Sequence, residues 1–309
     1  INIDDFAEWP ESVRHLAIAI AEELFLVAYN PFINVETVRN SVHARFERES
    51  MALAHYFANA IGEGITMFWS AYEAERSFRE ELISALRNIL PNECILSSPS
   101  ALVASATDAT DLRMELPLLV VEPDSAEQVA ALVKLANDMK FALIPRGGGS
   151  GMTGGAVPAR KRMVIVSLTR LTKIGPIDLE NMTVTVEAGA ITQNVIKAVD
   201  AAGALFSVDP ASKQASSIGG NVSENAGGPS AFEYGTTLDN LLWWRMVTPT
   251  GEIISVEREN HPRHKILPEE TAVFVVKDIS GGVRNVIHLR GDEIRLPGLG
   301  KDVTNKALG

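Results

Sequence analysis

The chain has 309 residues, 46% of them apolar, which is enough for one or two domains with a hydrophobic core. Its 28 Lys and Arg against 39 Asp and Glu give a net charge of −11, which argues against nucleic acid or an anionic membrane as the main partner. The single cysteine, Cys94, excludes an internal disulfide or a cysteine cluster. No apolar run has membrane-spanning length, so we expect a cytoplasmic protein without a transmembrane segment, or one bound peripherally to the inner face of the membrane.

Residues 1–100 are predicted to form a helical module. Apolar residues recur every three or four positions in three runs, and Pro91 ends the third run, which begins near Tyr72. Three histidines in these runs have no acidic or cysteine partners at ligand spacing, so we predict no metal site. The sequence begins at Ile1 rather than Met, so we expect it to be part of a longer protein.

A β-α-β unit is predicted next. Its strands are Leu118–Val121 and Phe141–Ile144, and Asp124 is expected to cap the helix between them in a capping box with Glu127. The second strand leads into Pro145–Pro158, which holds six glycines in fourteen residues. Glycine-rich backbone allows N–H groups to converge on an anion such as a diphosphate, although a flexible surface loop is the simpler explanation. Its place between two buried strands favours anion binding.

The rest of the chain is predicted to alternate strands with one helix and two hairpins. Strands are expected at Val164–Leu168 and Thr183–Val186, and Thr192 is expected to cap a helix that ends at Gly203. A second stretch rich in Gly, Asn and Ser covers residues 218–228. Hairpins are expected around the turns at 249–251 and 281–282.

Two common nucleotide-binding patterns fail on the glycine stretch. Gly149, Gly151 and Gly154 match G-x-G-x-x-G, but a nicotinamide-binding fold needs a helix to begin inside that motif, and the residues after it predict loop and strand. A P-loop fails because no Gly-Lys-Ser/Thr follows. A strand-loop-strand anion site remains, and a second glycine stretch downstream suits a long ligand with a diphosphate in its middle.

These motifs together resemble a known family. The sequences PRGGGSGMTGG, VEAG (186–189), DPASKQASSIGGNVSENAGG (209–228), Tyr234-Gly235, Asp239-Asn240 and KDVT (301–304) are similar to the FAD-binding domain of the FAD-linked oxidases, the vanillyl-alcohol oxidase and p-cresol methylhydroxylase (PCMH) type. Within it, the chain resembles D-lactate dehydrogenase, glycolate oxidase and D-2-hydroxyglutarate dehydrogenase-like enzymes. The fold implied is α+β: the helical module, then a PCMH-type FAD-binding domain of two α/β subdomains over residues 112–309, truncated at its C-terminal end.

The resemblance also implies site residues. The main chain of the first loop would wrap the FAD diphosphate and continue toward the flavin, with Arg146 either near the phosphates or at the surface. The second stretch would line or support the flavin and ribityl side. The residues implied are Arg146, Gly147, Gly148, Gly149, Ser150, Gly151, Met152, Thr153, Gly155, Pro210, Ser216, Gly219, Gly220, Asn221, Ser223, Asn225, Ala226, Gly227 and Tyr234.

Two departures from the family pattern matter. Relatives with covalent flavin carry histidine where Gly149 stands, so we predict non-covalent FAD. The family's closing flavin strand and its catalytic residues, expected after Lys301-Asp302, are absent from the sequence, and no catalytic role is predicted for His261, His264 or His288. We therefore expect the chain alone to bind flavin without turnover.

The activity implied is hydride transfer from a D-2-hydroxy acid to flavin N5, giving the 2-oxo acid. Electrons would then leave to a quinone, a cytochrome or an iron–sulfur centre, the last expected in a further C-terminal region. Three alternatives stay open at this point. They are a flavin-binding module whose partner supplies the substrate site, a nicotinamide dehydrogenase, and an FAD-dependent alcohol or sugar oxidase.

Overall fold

The structure, a computed structural model, describes residues 14, 70, 73–109, 115–261 and 264–294. The chain divides into two units, Ile1–Glu80 and Glu81–Gly309. In the first unit, residues 73–80 are helical, and Arg76 pairs with Glu80 one turn on at 3.0 Å. Most of the predicted helical module, with its three histidines, lies outside the described residues, as does the 301–304 motif. The assignment of modules to 1–100 and 112–309 stays a prediction.

The described elements alternate short strands and helices. In chain order they are α1 (73–86), a 3-10 turn (Asn92–Cys94), β1 (Ile95–Leu96), α2 (Pro99–Ser105), β2 (Leu119–Val121), α3 (Ala126–Met139), β3 (Ala142–Arg146), β4 (Met163–Ser167), β5 (Ile174–Asp178), β6 (Thr183–Val186), α4 (Thr192–Ala201), α5 (Ile218–Ser223), α6 (Ala231–Tyr234), α7 (Thr237–Asn240), β7 (Trp243–Val247), β8 (Ile253–Arg258), β9 (Thr271–Asp278), β10 (Val283–Arg290) and α8 (Gly291–Ile294).

The apolar period of the third predicted run is visible in α1 and the turn after it. Leu82, Leu86 and Leu90, four residues apart, are all buried. Cys94, just beyond Pro91, is also buried. Burial raises the pKa of its thiol, so Cys94 fills space in the interior and is not an activated nucleophile.

The first sheet has the strand order β1-β2-β4-β3, with β2, β4 and β3 parallel and β1 antiparallel to β2. The β-α-β prediction is confirmed, and β4 lies between its two strands. Val120, Ile144 and Ile165 form the core of this layer with Leu102 of α2. Because parallel strands are buried on both faces, they consist of the short apolar runs seen in the sequence.

The cap of α3 differs from the prediction by one residue. Ser125, not Asp124, is the N-cap, and its hydroxyl accepts a hydrogen bond from Gln128 N–H at 3.4 Å. Gln128 in turn accepts from the N–H of Asp124 at 2.9 Å. Asp and Ser are nearly equivalent N-caps, so the sequence cannot decide between adjacent candidates.

A smaller layer connects the first sheet to the second glycine stretch. The strands β5 and β6 form an antiparallel pair, and α4 packs on them through Val195 and Val199. Ile218, the first residue of α5, packs against the same cluster. The start of the second glycine stretch is therefore anchored in a hydrophobic core.

The second sheet is an antiparallel meander, β10-β9-β8-β7, and both predicted hairpins are confirmed. One face buries Val256, Phe274 and Ala272, with Trp244 against Phe274 in an edge-to-face contact at 5.7 Å. In the part of the chain that the structure describes, no helix is long and apolar enough to span a bilayer.

Candidate functional site

The first glycine loop begins at the carboxyl end of β3, an edge strand of the parallel sheet. Residues 147–162 contain neither helix nor strand, as predicted, so the helix that a nicotinamide motif requires is absent from this stretch. Gly149 and Gly154 have φ angles of +65° and +78°, a conformation that side chains rarely adopt. The carboxyl ends of parallel strands are the usual ligand-binding edge of such sheets.

The backbone N–H groups of this loop are the main chemical feature of the site. Among the described residues, no N–H from Gly147 through Gly155 donates a hydrogen bond within the protein. The loop is held instead through other atoms, such as the Gly151 carbonyl, which accepts from Ala109 N–H at 3.3 Å. A continuous run of unpaired donors on a well-anchored loop is an arrangement that suits a multivalent anion.

Residues 215–217, which lead into the second glycine stretch, lie directly against the first loop. A Cβ on Gly147 would stand 2.1 Å from the Ser217 hydroxyl oxygen, and a Cβ on Gly148 would stand 1.7 Å from the Ala215 carbonyl oxygen. Only glycine allows this approach. Further along, the Thr153 hydroxyl donates to the Glu224 carboxylate at 3.0 Å. The structure thus brings together the two stretches that the sequence places sixty-odd residues apart.

Residues 218–226 of the second stretch use their N–H groups within the protein, which the sequence did not reveal. Residues 218–223 form α5, with Ser217 as N-cap accepting from Gly220 N–H at 3.3 Å. The N–H of Gly219 donates to Ala188 at 2.8 Å, and a Cβ on Gly219 would clash with Ala188. Residues 218–226 therefore offer a tightly packed wall, whereas the N–H groups of Gly227 and Gly228, like those of the first loop, donate to no acceptor among the described residues.

Several predicted site residues turn their side chains into the protein. Ser216 and Asn221 are buried and bond to Thr192, and Asn225 is buried with its amide oxygen accepting from Leu238 N–H at 2.9 Å. Ser223 donates to the Gly219 carbonyl at 3.0 Å. The side chains of these residues therefore hold the surrounding main chain in place and do not face outward toward a ligand.

Other predicted residues are at the surface or fix the backbone. Met152 is 79% exposed and Tyr234 44% exposed. Pro210 is buried. The Ala226 carbonyl accepts from Thr237, and Gly227 lies close to Ala231 and Thr236.

The Arg146 side chain bonds to the backbone on both sides of the first loop. Its guanidinium donates to the carbonyls of Thr107 at 2.8 Å and Ala156 at 3.2 Å, and it fills the space that a Cβ of Gly149 would need. Burial lowers the pKa of Arg146, and Asp108 acts in the opposite direction; the group stays charged because its reference pKa is so high. Arg146 is half-buried, and its guanidinium bonds to loop carbonyls on two sides; a role near the phosphates stays a prediction.

A buried carboxylate lies at the far end of the second stretch; the sequence analysis quoted Asp239 in a motif but predicted no role for it. Asp239 is 1% exposed and accepts from Thr236 N–H at 2.8 Å and from Ile266 N–H at 2.9 Å. Its carbonyl contacts His261 Nε2 at 2.7 Å, and burial lowers the pKa of that imidazole. The capping-box spacing of Thr236 and Asp239 was the available signal.

A hollow of about 360 Å³ lies on the second sheet and is lined by Trp243, Arg245, Glu257 and Lys277 among others. None of the predicted site residues takes part in it. Among the described residues, no group of three or more His, Cys, Asp or Glu could hold a metal ion.

This part of the chain combines a parallel β-α-β layer, a second antiparallel sheet and two facing glycine stretches. Residues 117–257 match the family described as an FAD binding domain. The crystal structure of p-cresol methylhydroxylase with substrate bound has the same fold, with a TM-score of 0.51 and 19% identity over 58% of this chain and 35% of that one.

Curated relatives carry the names of hydroxy-acid enzymes. D-lactate dehydrogenase of Anaerostipes hadrus is 40% identical over 45% of this chain and 29% of the relative. Glycolate oxidase subunit GlcD of Bacillus subtilis is 33% identical over 48% of this chain and 31% of the relative. The chain thus spans about a third of the length of these proteins. The resemblance inferred from the motifs is confirmed.

Proposed function

We propose that this chain binds FAD non-covalently, with the diphosphate on the Gly147–Gly155 loop and the flavin side along the second stretch. The observation that carries the proposal is the run of N–H groups without internal acceptors, on a loop whose glycines the second stretch touches. A diphosphate supplies acceptor oxygens for several such donors at once. The match of residues 117–257 to an FAD binding domain supports the same ligand.

The chain's own contribution is backbone geometry. N–H groups from Gly147 to Gly151 would donate to phosphate oxygens, and the lack of side chains would let the diphosphate approach the main chain. Residues 152, 153 and 155 would extend this wall. The second stretch and the residues beside it would form the opposite wall, chiefly through the main chain of Pro210, Ser216, Gly219, Gly220, Asn221, Ser223, Asn225, Ala226, Gly227 and Tyr234.

For the whole protein we propose oxidation of a D-2-hydroxy acid, such as D-lactate, glycolate or D-2-hydroxyglutarate, to the 2-oxo acid. The names of the relatives support this class of substrate. When bound, FAD would supply the two-electron acceptor at flavin N5, and a quinone, cytochrome or iron–sulfur centre would take the electrons onward. The described residues would hold and orient the cofactor; no catalytic role is proposed for His261, His264 or His288.

In the test, flavin-free protein is titrated with FAD, FMN and NADH, and binding is measured by the quenching of tryptophan fluorescence and by flavin absorbance. FAD should saturate one site, and NADH should not compete for it. FMN should bind more weakly because it lacks the AMP moiety of FAD and so carries one phosphate instead of a diphosphate. Failure to retain FAD, or tighter binding of NADH, would overturn the proposal.

The substrate class is tested separately under anaerobic conditions. D-lactate, glycolate and D-2-hydroxyglutarate should bleach the flavin of the whole protein, whereas the 309-residue chain should stay oxidised. Bleaching in the 309-residue chain would show that it already holds a substrate site. A flavin of the whole protein that none of these acids reduces would favour a flavin-binding module, and peroxide production with an alcohol or sugar would favour an oxidase.

A further inference from the structure

One fully buried hydroxyl lies outside both glycine stretches and yet bonds to the second. Thr192, the first residue of α4, has no exposed surface. Its hydroxyl donates to the Ser216 carbonyl at 3.0 Å, shares a hydrogen bond with the Ser216 hydroxyl at 2.9 Å and accepts from the Asn221 side-chain amide at 2.8 Å. The sequence predicted a helix cap at this position. That is wrong, since the N-cap is Ile191 and the Thr192 hydroxyl bonds to a different segment.

These contacts use the full capacity of the Thr192 hydroxyl, which has one proton to donate and two lone pairs to accept with. Its backbone N–H also donates to the Ser216 carbonyl, at 2.9 Å. A saturated group in a dry interior has one favourable orientation, because any rotation leaves a buried donor or acceptor unpaired. Thr192 therefore fixes Ser216 and Asn221 with respect to the core beneath α4.

The residues fixed in this way adjoin the first glycine loop. Ser217, next to Ser216, caps α5 and supplies the oxygen that a Cβ on Gly147 would meet at 2.1 Å. Ala215, on the other side, supplies the carbonyl that faces Gly148. Ala215 and Ser217, which contact the first glycine loop, thus lie on either side of Ser216, to which Thr192 is bonded.

We infer that Thr192 is a positioning residue for the cofactor: it sets the second glycine stretch against the first loop, and the spacing between them depends on its hydroxyl. The inference rests on the proposed function, because the quantity that Thr192 controls is affinity for FAD. Thr192 itself need not touch FAD, since its contacts end at residues 216 and 221.

The test compares three variants for FAD affinity and for thermal stability without FAD. Thr192→Val keeps the shape but removes the hydroxyl, and should raise the Kd for FAD about tenfold, because the free protein would shift its second stretch to pair the buried groups elsewhere and FAD binding would have to reverse that shift. Thr192→Ser keeps the hydroxyl and should bind FAD close to wild-type affinity. Val195→Ala, a buried apolar change on the same helix, should lower the melting temperature and leave the Kd unchanged.

Three results would overturn the inference. They are an unchanged Kd in Thr192→Val, an equal loss of affinity in Thr192→Ser, and an equal loss in Val195→Ala, which would point to general weakening of α4. If Thr192→Val does not fold, Ser216→Ala, which removes one of the bonds to Thr192, replaces it and should raise the Kd by a smaller factor; no rise would again contradict the idea.

A readout without FAD separates this inference from the proposed function. Amide hydrogen exchange over residues 216–224 should be faster in folded Thr192→Val than in Val195→Ala. If the wild-type chain binds no FAD, the proposed function fails, and exchange alone then decides whether Thr192 orders the second stretch. Equal exchange in the two variants would show that it does not.

Discussion

Gly151 offers the sharpest test of where a diphosphate would lie. A Cβ built on Gly151 meets nothing within 4 Å, and its φ lies outside the left-handed region. Replacement by alanine should therefore change the free energy of unfolding of the ligand-free chain by no more than about 1 kcal/mol, and in the stabilising direction if the unfolded chain loses entropy. The space is free only while no ligand occupies it.

With FAD present the same methyl group stands where the diphosphate would approach the loop. We expect the Kd for FAD to rise about tenfold or more in Gly151→Ala, which corresponds to about 1.4 kcal/mol. Isothermal titration measures the affinity, and urea unfolding of the flavin-free protein measures the stability.

Two comparison variants separate binding from folding. Gly281, in the β9–β10 turn, also has open space but a φ of +87°, so Gly281→Ala should cost about 1 kcal/mol of stability and leave the Kd alone. In Gly148→Ala the methyl group would be 1.7 Å from the Ala215 carbonyl oxygen, half of the 3.4 Å at which ordinary contact begins, so stability should fall by about 2–3 kcal/mol and FAD binding should be lost. An unchanged Kd in Gly151→Ala would refute the placement of the diphosphate.

The remaining predictions concern the flavin linkage, the contact between the stretches, and the buried groups beside them. Acid precipitation should leave FAD in the supernatant, and yellow colour in the pellet would contradict non-covalent binding. Thr153→Val should lower the free energy of unfolding by less than about 1 kcal/mol, because the hydrogen bond from Thr153 to Glu224 is exposed. A larger loss in urea unfolding would show that this bond is the main one holding the two stretches together. Asp239→Asn should cost about 2–3 kcal/mol in the same assay, since an amide N–H would face a backbone N–H in the interior, and a wild-type midpoint would contradict this. Burial lowers the pKa of His261 below 6.5, so protonation favours the unfolded chain, and the free energy of unfolding should fall as the pH drops from about 6.5. His261→Gln should flatten this pH dependence, and an unchanged pH dependence would exclude His261 as its source.

Local patterns were sufficient for much of the fold. Period-two and short apolar runs predicted β2, β3, β4 and both hairpins, because each is bounded by turn residues. The glycine stretch after β3 was identified as a loop rather than a helix start, since Ala-Val-Pro and a β-branched run follow it. The proximity of the two stretches was predicted because a single long ligand would have to contact both of them.

Contacts distant in sequence could not be predicted in this way. The short helix α5 contains two glycines, which local propensity disfavours, and it forms because Ser217 caps it and Ile218 is packed beneath. Likewise, the bonds of Thr192 join residues 24 apart, so its spacing from Val195 suggested only an ordinary cap. Side chains such as Ser216 and Asn221 were expected to face a ligand, because polarity alone does not show which way a residue points.

Arg146 limits which residues can stand at position 149. Any side chain at position 149 would collide with a guanidinium that is already bonded on two sides, at a backbone angle that disfavours it. A larger residue there, such as a histidine able to tether a cofactor, would displace this guanidinium and cost the loop its bonds to the Thr107 and Ala156 carbonyls. Such a tether would thus loosen the segment that carries it.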